Sequence, residues 1–151
     1  MAHKLVFNIK QVKGFSPPGD EDTFVSKLLV DQESVGSEYL VVNHFTLKPG
    51  KQTEPGSHPE PYDELYFVLH GRAVLRLGDP PEVFEIQPGT VAFIPAGTVH
   101  ALDNVGTEAL EILTVMPHQL IEGANSLYDA RLQAWGTSFR LLNQESDHEQ
   151  F

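Results

Sequence analysis

The sequence predicts an all-β fold, a barrel or sandwich of short strands built as one domain. Three observations carry that prediction. The chain has 151 residues, 40% of them hydrophobic, which suits a single apolar core. Its 12 glycines and 11 prolines punctuate it throughout. Between them lie short runs rich in Val, Ile, Leu, Phe and Tyr, the pattern of strands separated by turns rather than of strands alternating with helices.

Taken in order, strands are expected over 4–9, 23–30, 38–47, 64–69, 73–77, 83–86, 91–94, 99–102 and 109–115. Turn signals separate them at Pro17-Pro18-Gly19, Pro49-Gly50, His70-Gly71, Gly78-Asp79-Pro80-Pro81, Pro88-Gly89, Pro95-Ala96-Gly97 and Asn104-Val105-Gly106. One helix is expected over about 126–142. Ser126 and Asp129 resemble a capping box, and Tyr128, Trp135, Phe139 and Leu142 fall on one stripe. The whole chain, 1–151, reads as a single domain: a β extension over 1–37, a barrel core over about 38–116, and the C-terminal helix packed on the barrel.

Charge and composition exclude several functions. Asp and Glu number 21 against 10 Lys and Arg, a formal net charge of −11, so phosphate backbones and anionic membrane surfaces repel the chain. No apolar run approaches the ~20 residues of a membrane helix. The opening MAHKLVFNIK carries no long apolar stretch with a small-residue cleavage site, so a cytoplasmic protein is expected. With no cysteine there is no disulfide, thiolate metal site or thiol nucleophile. The seven histidines are the chemically interesting stock. Phosphate-loop, dinucleotide-binding and nucleophile-elbow motifs are absent.

Two segments can carry chemistry. The first is His58-Pro59-Glu60-Pro61-Tyr62-Asp63-Glu64. In an extended chain alternate side chains share a face, so His58, Glu60 and Glu64 would point the same way, with Tyr66 on that face too. The prolines disfavour a helix there. An imidazole and two carboxylates inside a barrel need a partner, because burying isolated charge is costly, and a divalent cation is the simplest one. The second segment runs from Gly89 to Asn104. Its Pro95-Ala96-Gly97 turn brings His100 back onto the sheet, where it can meet His58 and Glu64. Two histidines and one carboxylate with open positions suit non-heme iron, and equally manganese, nickel or zinc.

These residues make the chain resemble a cupin, a small double-stranded β-helix or jelly-roll barrel. The second cupin motif, G-x5-P-x-G-x2-H-x3-N, is matched by Gly89, Pro95, Gly97, His100 and Asn104. The first, G-x5-H-x-H-x3,4-E-x6-G, is matched by His58, Glu64 and Gly71, with Glu60 at the second histidine position. The resemblance implies a divalent transition metal held by His58, Glu64 and His100. Glu60 occupies a ligand position and is expected as the fourth ligand; the alternatives are a general acid or base beside the metal and a rim carboxylate. Tyr66 either lines the pocket as a catalytic neighbour or fills the barrel. His44 is expected to be a hydrogen-bonded structural histidine.

What the resemblance implies for activity is a metal-dependent enzyme of dioxygenase, isomerase or lyase type. The site's charge favours a neutral or singly charged small molecule such as a sugar, a diketone or a phenolic. The alternative is a non-catalytic small-ligand or sugar-binding module. Barrels of this kind leave sheet edges that a second copy can cover, so a homodimer is expected.

Overall fold

The structure is a computed structural model that describes residues 4–16, 23–118 and 140–141. Its strands are β1 (Phe15–Ser16), β2 (Phe24–Val30), β3 (Leu40–Leu47), β4 (Glu64–His70), β5 (Ala73–Leu77), β6 (Glu82–Ile86), β7 (Val91–Ile94), β8 (His100–Asp103), β9 (Leu110–Pro117) and β10 (Arg140–Leu141). They form a seven-stranded sheet in the order β10-β1-β2-β3-β9-β4-β7 and a three-stranded sheet in the order β6-β5-β8. Every pairing is antiparallel. Neighbours in each sheet are mostly distant in sequence, as in a jelly roll, so the strands at 40–47, 64–70 and 110–117 meet side by side.

Alternation along each strand decides what faces inward. In β4, Glu64, Tyr66 and Val68 are buried while Phe67 and Leu69 are exposed. In β9, Leu110, Ile112, Thr114 and Met116 are buried. Leu47, Val68, Leu75, Ile94, Leu110 and Ile112 close the core at one end of the barrel, none more than 2% exposed. The site lies beside this core, in a cavity where polar side chains such as Glu64 and His100 meet Val41, Phe45, Ile112 and Met116.

Two connections fix that geometry. At Gly71 the chain leaves β4 with φ +83°, and a β-carbon there would collide with the Ala109 carbonyl oxygen, so only glycine fits. Asn104 is 1% exposed and bonds three backbone groups: its amide donates to Leu47 O (2.9 Å) and Glu108 O (2.8 Å) and accepts from Gly106 N–H (3.1 Å). The closing asparagine of the second motif is therefore a structural staple.

The expected strands agree with the observed ones to within a residue or two, with one exception. Residues 4–9 are not a strand, and Ile9–Gln11 is a 3-10 turn. Asn8 caps it by accepting from Lys10 N–H, and the Gln11 side chain accepts from Asn8 N–H, a local pattern that competes with sheet pairing. A short helix, α1 (Gln32–Val35), capped by Asp31, was not expected. The helix expected over 126–142 lies outside the described residues except at Arg140 and Leu141, which are strand, paired with β1. No described helix is long and apolar enough to cross a membrane.

Candidate metal centre

Three side chains converge from two strands and one loop. Glu64 opens β4 and His100 opens β8. His58 lies on the loop that runs antiparallel to β8. There Gly56 N–H donates to His100 O (3.1 Å), and His100 N–H donates to Gly56 O (2.8 Å). His58 is two residues further on, so its ring comes beside that of His100, with centroids 5.4 Å apart.

The Pro95-Ala96-Gly97-Thr98 turn holds the same loop from the other side. Thr98 N–H closes it onto Pro95 O (3.0 Å), with Gly97 at φ +81° in the position where a type II turn calls for glycine. Gly97 N–H donates to His58 O (2.6 Å), and Ala96 N–H donates to the Asp63 carboxylate (2.9 Å). The second motif thus supplies His100 and also clamps the segment that carries His58.

The donor atoms of His58, Glu64 and His100 all lie within 4.8 Å of one another. Glu64 Oε1 is 3.4 Å from His58 Nε2 and 3.3 Å from His100 Nε2. Its side chain is 4% exposed, and Oε1 is buried without a hydrogen-bond partner. His100 Nδ1 lies 2.9 Å from Thr98 O. A carbonyl only accepts, so Nδ1 carries a proton. In the neutral ring Nε2 then presents a lone pair toward the carboxylate oxygen. Two lone pairs facing each other at that distance need a cation between them, or a proton on the ring.

Titration follows from the same contacts. Burial pushes Glu64 up, but the His100 and His58 rings beside it, which donate to the carboxylate when protonated, outweigh burial and hold the carboxyl below its ordinary value. Burial pushes His100 down, but Glu64 and the Thr98 carbonyl prevail and raise it. For Tyr66, burial and then the Glu64 charge push the phenol well above its ordinary range, so it stays protonated. Its ring lies edge-on to His100, with centroids 6.0 Å apart.

The triad opens into a cavity of about 290 Å³, at the small end for ligand pockets. Glu64, Tyr66, His58 and His100 line one part; Ile112, Thr114 and Met116 of β9, the strand beside β4, and then Val41, Asn43 and Phe45 of β3 continue the lining across the same sheet. Glu60 is not brought to the cluster. It is exposed, in a turn closed by Tyr62 N–H donating to Pro59 O (2.9 Å), so the chain is not extended from 58 to 64 and the alternation argument fails at that residue. His44 faces away from the cavity, with Nε2 3.1 Å from Glu111 Oε1. Burial lowers its pKa more than Glu111 raises it. Asn43 and Thr114 were not singled out in the sequence; their only signal is alternation with Val41, Phe45, Ile112 and Met116.

Comparison with known proteins agrees with this architecture. The profile of the Cupin domain matches residues 43–116. The chain belongs to the cupin superfamily. It is 32% identical over 79 residues to the uncharacterized protein MJ1618 of Methanocaldococcus jannaschii, covering 52% of this chain and 50% of that one. The chain spans no more than half the length of the first curated relatives it matches. Among solved structures it resembles the polyketide cyclase RemF from Streptomyces resistomycificus, with a TM-score of 0.65 and 25% identity over 76% of this chain and 79% of that one. A predicted oxalate decarboxylase from Thermotoga maritima shares the fold, with a TM-score of 0.63 and 20% identity over 75% of this chain and 98% of that one.

Proposed function

We propose that this cupin is a metal-dependent enzyme acting on a small neutral or singly charged organic molecule held in the cavity. The observation that carries the proposal is the buried, unpartnered Glu64 Oε1 between two imidazole Nε2 atoms. A buried carboxylate oxygen without a donor costs about 1–3 kcal/mol or more, and a cation at the meeting point of the three donors removes that penalty. Iron, manganese, nickel or zinc held by His58, Glu64 and His100 would act as a Lewis acid toward a substrate oxygen.

A metal held by these three ligands would keep coordination positions for a substrate, which favours catalysis over a purely structural or binding role. His100 is oriented by the Thr98 carbonyl, the kind of outer contact that fixes a ligating tautomer. Tyr66 holds its proton on the cavity wall, hydrogen-bonded to Glu64, and would steady that carboxylate beside a bound molecule. Glu60 lies on an exposed turn and is assigned no ligand role. The largely apolar wall of Val41, Phe45, Leu102, Ile112 and Met116 suits a flat, weakly charged substrate, and the likeness to a polyketide cyclase supports the same class.

The reaction belongs to the dioxygenase, isomerase or lyase group. Purified protein loaded in turn with iron and zinc, and assayed on diketones and phenolics for product and for oxygen uptake, tests this. Product formed with zinc and without oxygen uptake assigns isomerase or lyase chemistry, and oxygen uptake with iron alone assigns dioxygenase chemistry. Failure of every metal to bind, or binding unaffected by His100→Ala, would overturn the proposal. A homodimer is proposed as well. Strand β7 ends the larger sheet, and Val91, Phe93 and Phe67 are exposed on its outer face. A monomer mass by light scattering would refute it.

A further inference from the structure

The sheet that carries Glu64 continues past it along the cavity with two polar side chains set among apolar ones. Asn43 on β3 and Thr114 on β9 are direct cross-strand partners. Thr114 is in turn paired with Tyr66 on β4, so Asn43, Thr114 and Tyr66 form one row across the sheet. All three line the cavity. Asn43 is 5% exposed and Thr114 7% exposed.

The Asn43 amide is oriented from behind. The Ser26 hydroxyl, itself 1% exposed, donates to Asn43 Oδ1 at 2.6 Å. With its oxygen engaged, the amide turns Nδ2 and its two N–H donors toward the cavity that Asn43 lines. A ligand pocket is mostly apolar with a few placed polar groups that fix orientation, and donors presented on this largely apolar wall fit that role.

We infer that Asn43, seconded by Thr114, is a second anchor of the cavity: it binds an oxygen acceptor at the far end of a small molecule whose near end lies at His58, Glu64 and His100. Two strand spacings separate Asn43 from Tyr66, roughly 10 Å. The fitting ligand is a short, largely apolar molecule with oxygen at both ends, the distal one a carbonyl-type acceptor. Ser26 is a positioning residue that acts through Asn43. This rests on the proposed function for the near end only; recognition at the far end stands without it.

A matched pair of probes separates the two ends. 4-Oxopentanoate and pentanoate share a carboxylate and chain length and differ in the distal ketone. Their affinities are measured by calorimetry on wild-type protein, with zinc and after chelation. The expected result is that 4-oxopentanoate binds about tenfold tighter than pentanoate, the value of one well-made buried hydrogen bond. That ratio should persist without zinc, while zinc strengthens both acids. A ratio kept without any effect of zinc keeps this inference and counts against the metal reading.

Asn43→Ala should bring the ratio to within about twofold of unity while leaving pentanoate affinity and zinc content unchanged. Asn43→Asp, which presents an acceptor to an acceptor, should take it below unity. Ser26→Ala should lower the ratio without moving pentanoate affinity, which a merely structural loss would move. Where Asn43→Ala fails to fold, the double variant Ser26→Ala/Asn43→Leu removes both members of the buried pair and serves in its place. Equal affinities in wild type, binding of neither acid, or an unchanged ratio in Asn43→Ala would each overturn the inference.

Discussion

Replacing Glu64 by glutamine tests the electrostatics of the triad in the metal-free protein. In the wild type, His100 has a folded pKa above 6.5 and Glu64 one below 4.5. The raised histidine contributes stability that is complete below pH 6.5 and lost as pH rises through its folded value. The lowered carboxyl contributes stability present above pH 4.5 and lost as pH falls through its folded value. The ion pair therefore stabilises the fold most between about pH 4.5 and 6.5. Glutamine removes both contributions, yet its amide can donate to an imidazole Nε2, so the variant should fold. Both side chains are nearly buried, 10% and 4% exposed, so solvent screens the pair little. A charge-assisted bond gains about 1.5–3 kcal/mol, and desolvation offsets part of it, leaving about 1–2 kcal/mol. For a chain of this size that is roughly 3–6 °C in Tm.

The assay is thermal unfolding of chelated wild type and Glu64→Gln at pH 5.5 and pH 8.5. The wild type should lose 3–6 °C relative to the variant between those pH values, about 1–2 kcal/mol. His44 titrates in both proteins, so its opposite trend cancels in the difference. Zinc at about one hundred times its Kd should restore roughly 2.7 kcal/mol to the wild type at pH 8.5 and less to the variant. Parallel pH profiles for the two chelated proteins would refute the reasoning.

Further expectations concern the frame and the residue left outside the site. Gly71→Ala should destabilise by about 2–4 kcal/mol in denaturant unfolding, because an L side chain is strained at φ +83° and its β-carbon meets the Ala109 backbone; an effect under about 0.5 kcal/mol would mean that the turn relaxes. Asn104→Ala should cost about 2–4 kcal/mol, since three backbone groups lose their partner at a 1% exposed site, and an unchanged denaturation midpoint would contradict that. Glu60→Gln should retain metal at wild-type stoichiometry by elemental analysis, whereas a loss comparable to that of His58→Ala would place Glu60 in the coordination shell.

Most of the fold was legible because alternation and turn residues are local. Strands 64–69, 73–77 and 91–94 could be read from their own residues, and Gly97 and His100 from their spacing. Glu60 was not legible. Its parity with His58 and Glu64 holds only for extended chain, and the hydrogen bond from Tyr62 N–H to Pro59 O folds that stretch into a turn. Asn43 shows the complementary limit. The strand over 38–47 was read, but which face is inner depends on β9 and β2 packing beside it. His44, with the more eye-catching chemistry, proved to be on the outer face and Asn43 on the inner one.

The most direct test is a crystal structure of zinc-loaded protein with anomalous data at the zinc edge. One strong peak is expected, about 2.0–2.2 Å from His58 Nε2, His100 Nε2 and a Glu64 carboxylate oxygen, with its open side toward Asn43 and Tyr66. The Glu60 carboxylate should lie outside bonding distance. A peak elsewhere in the molecule, or none under full zinc loading, would contradict it.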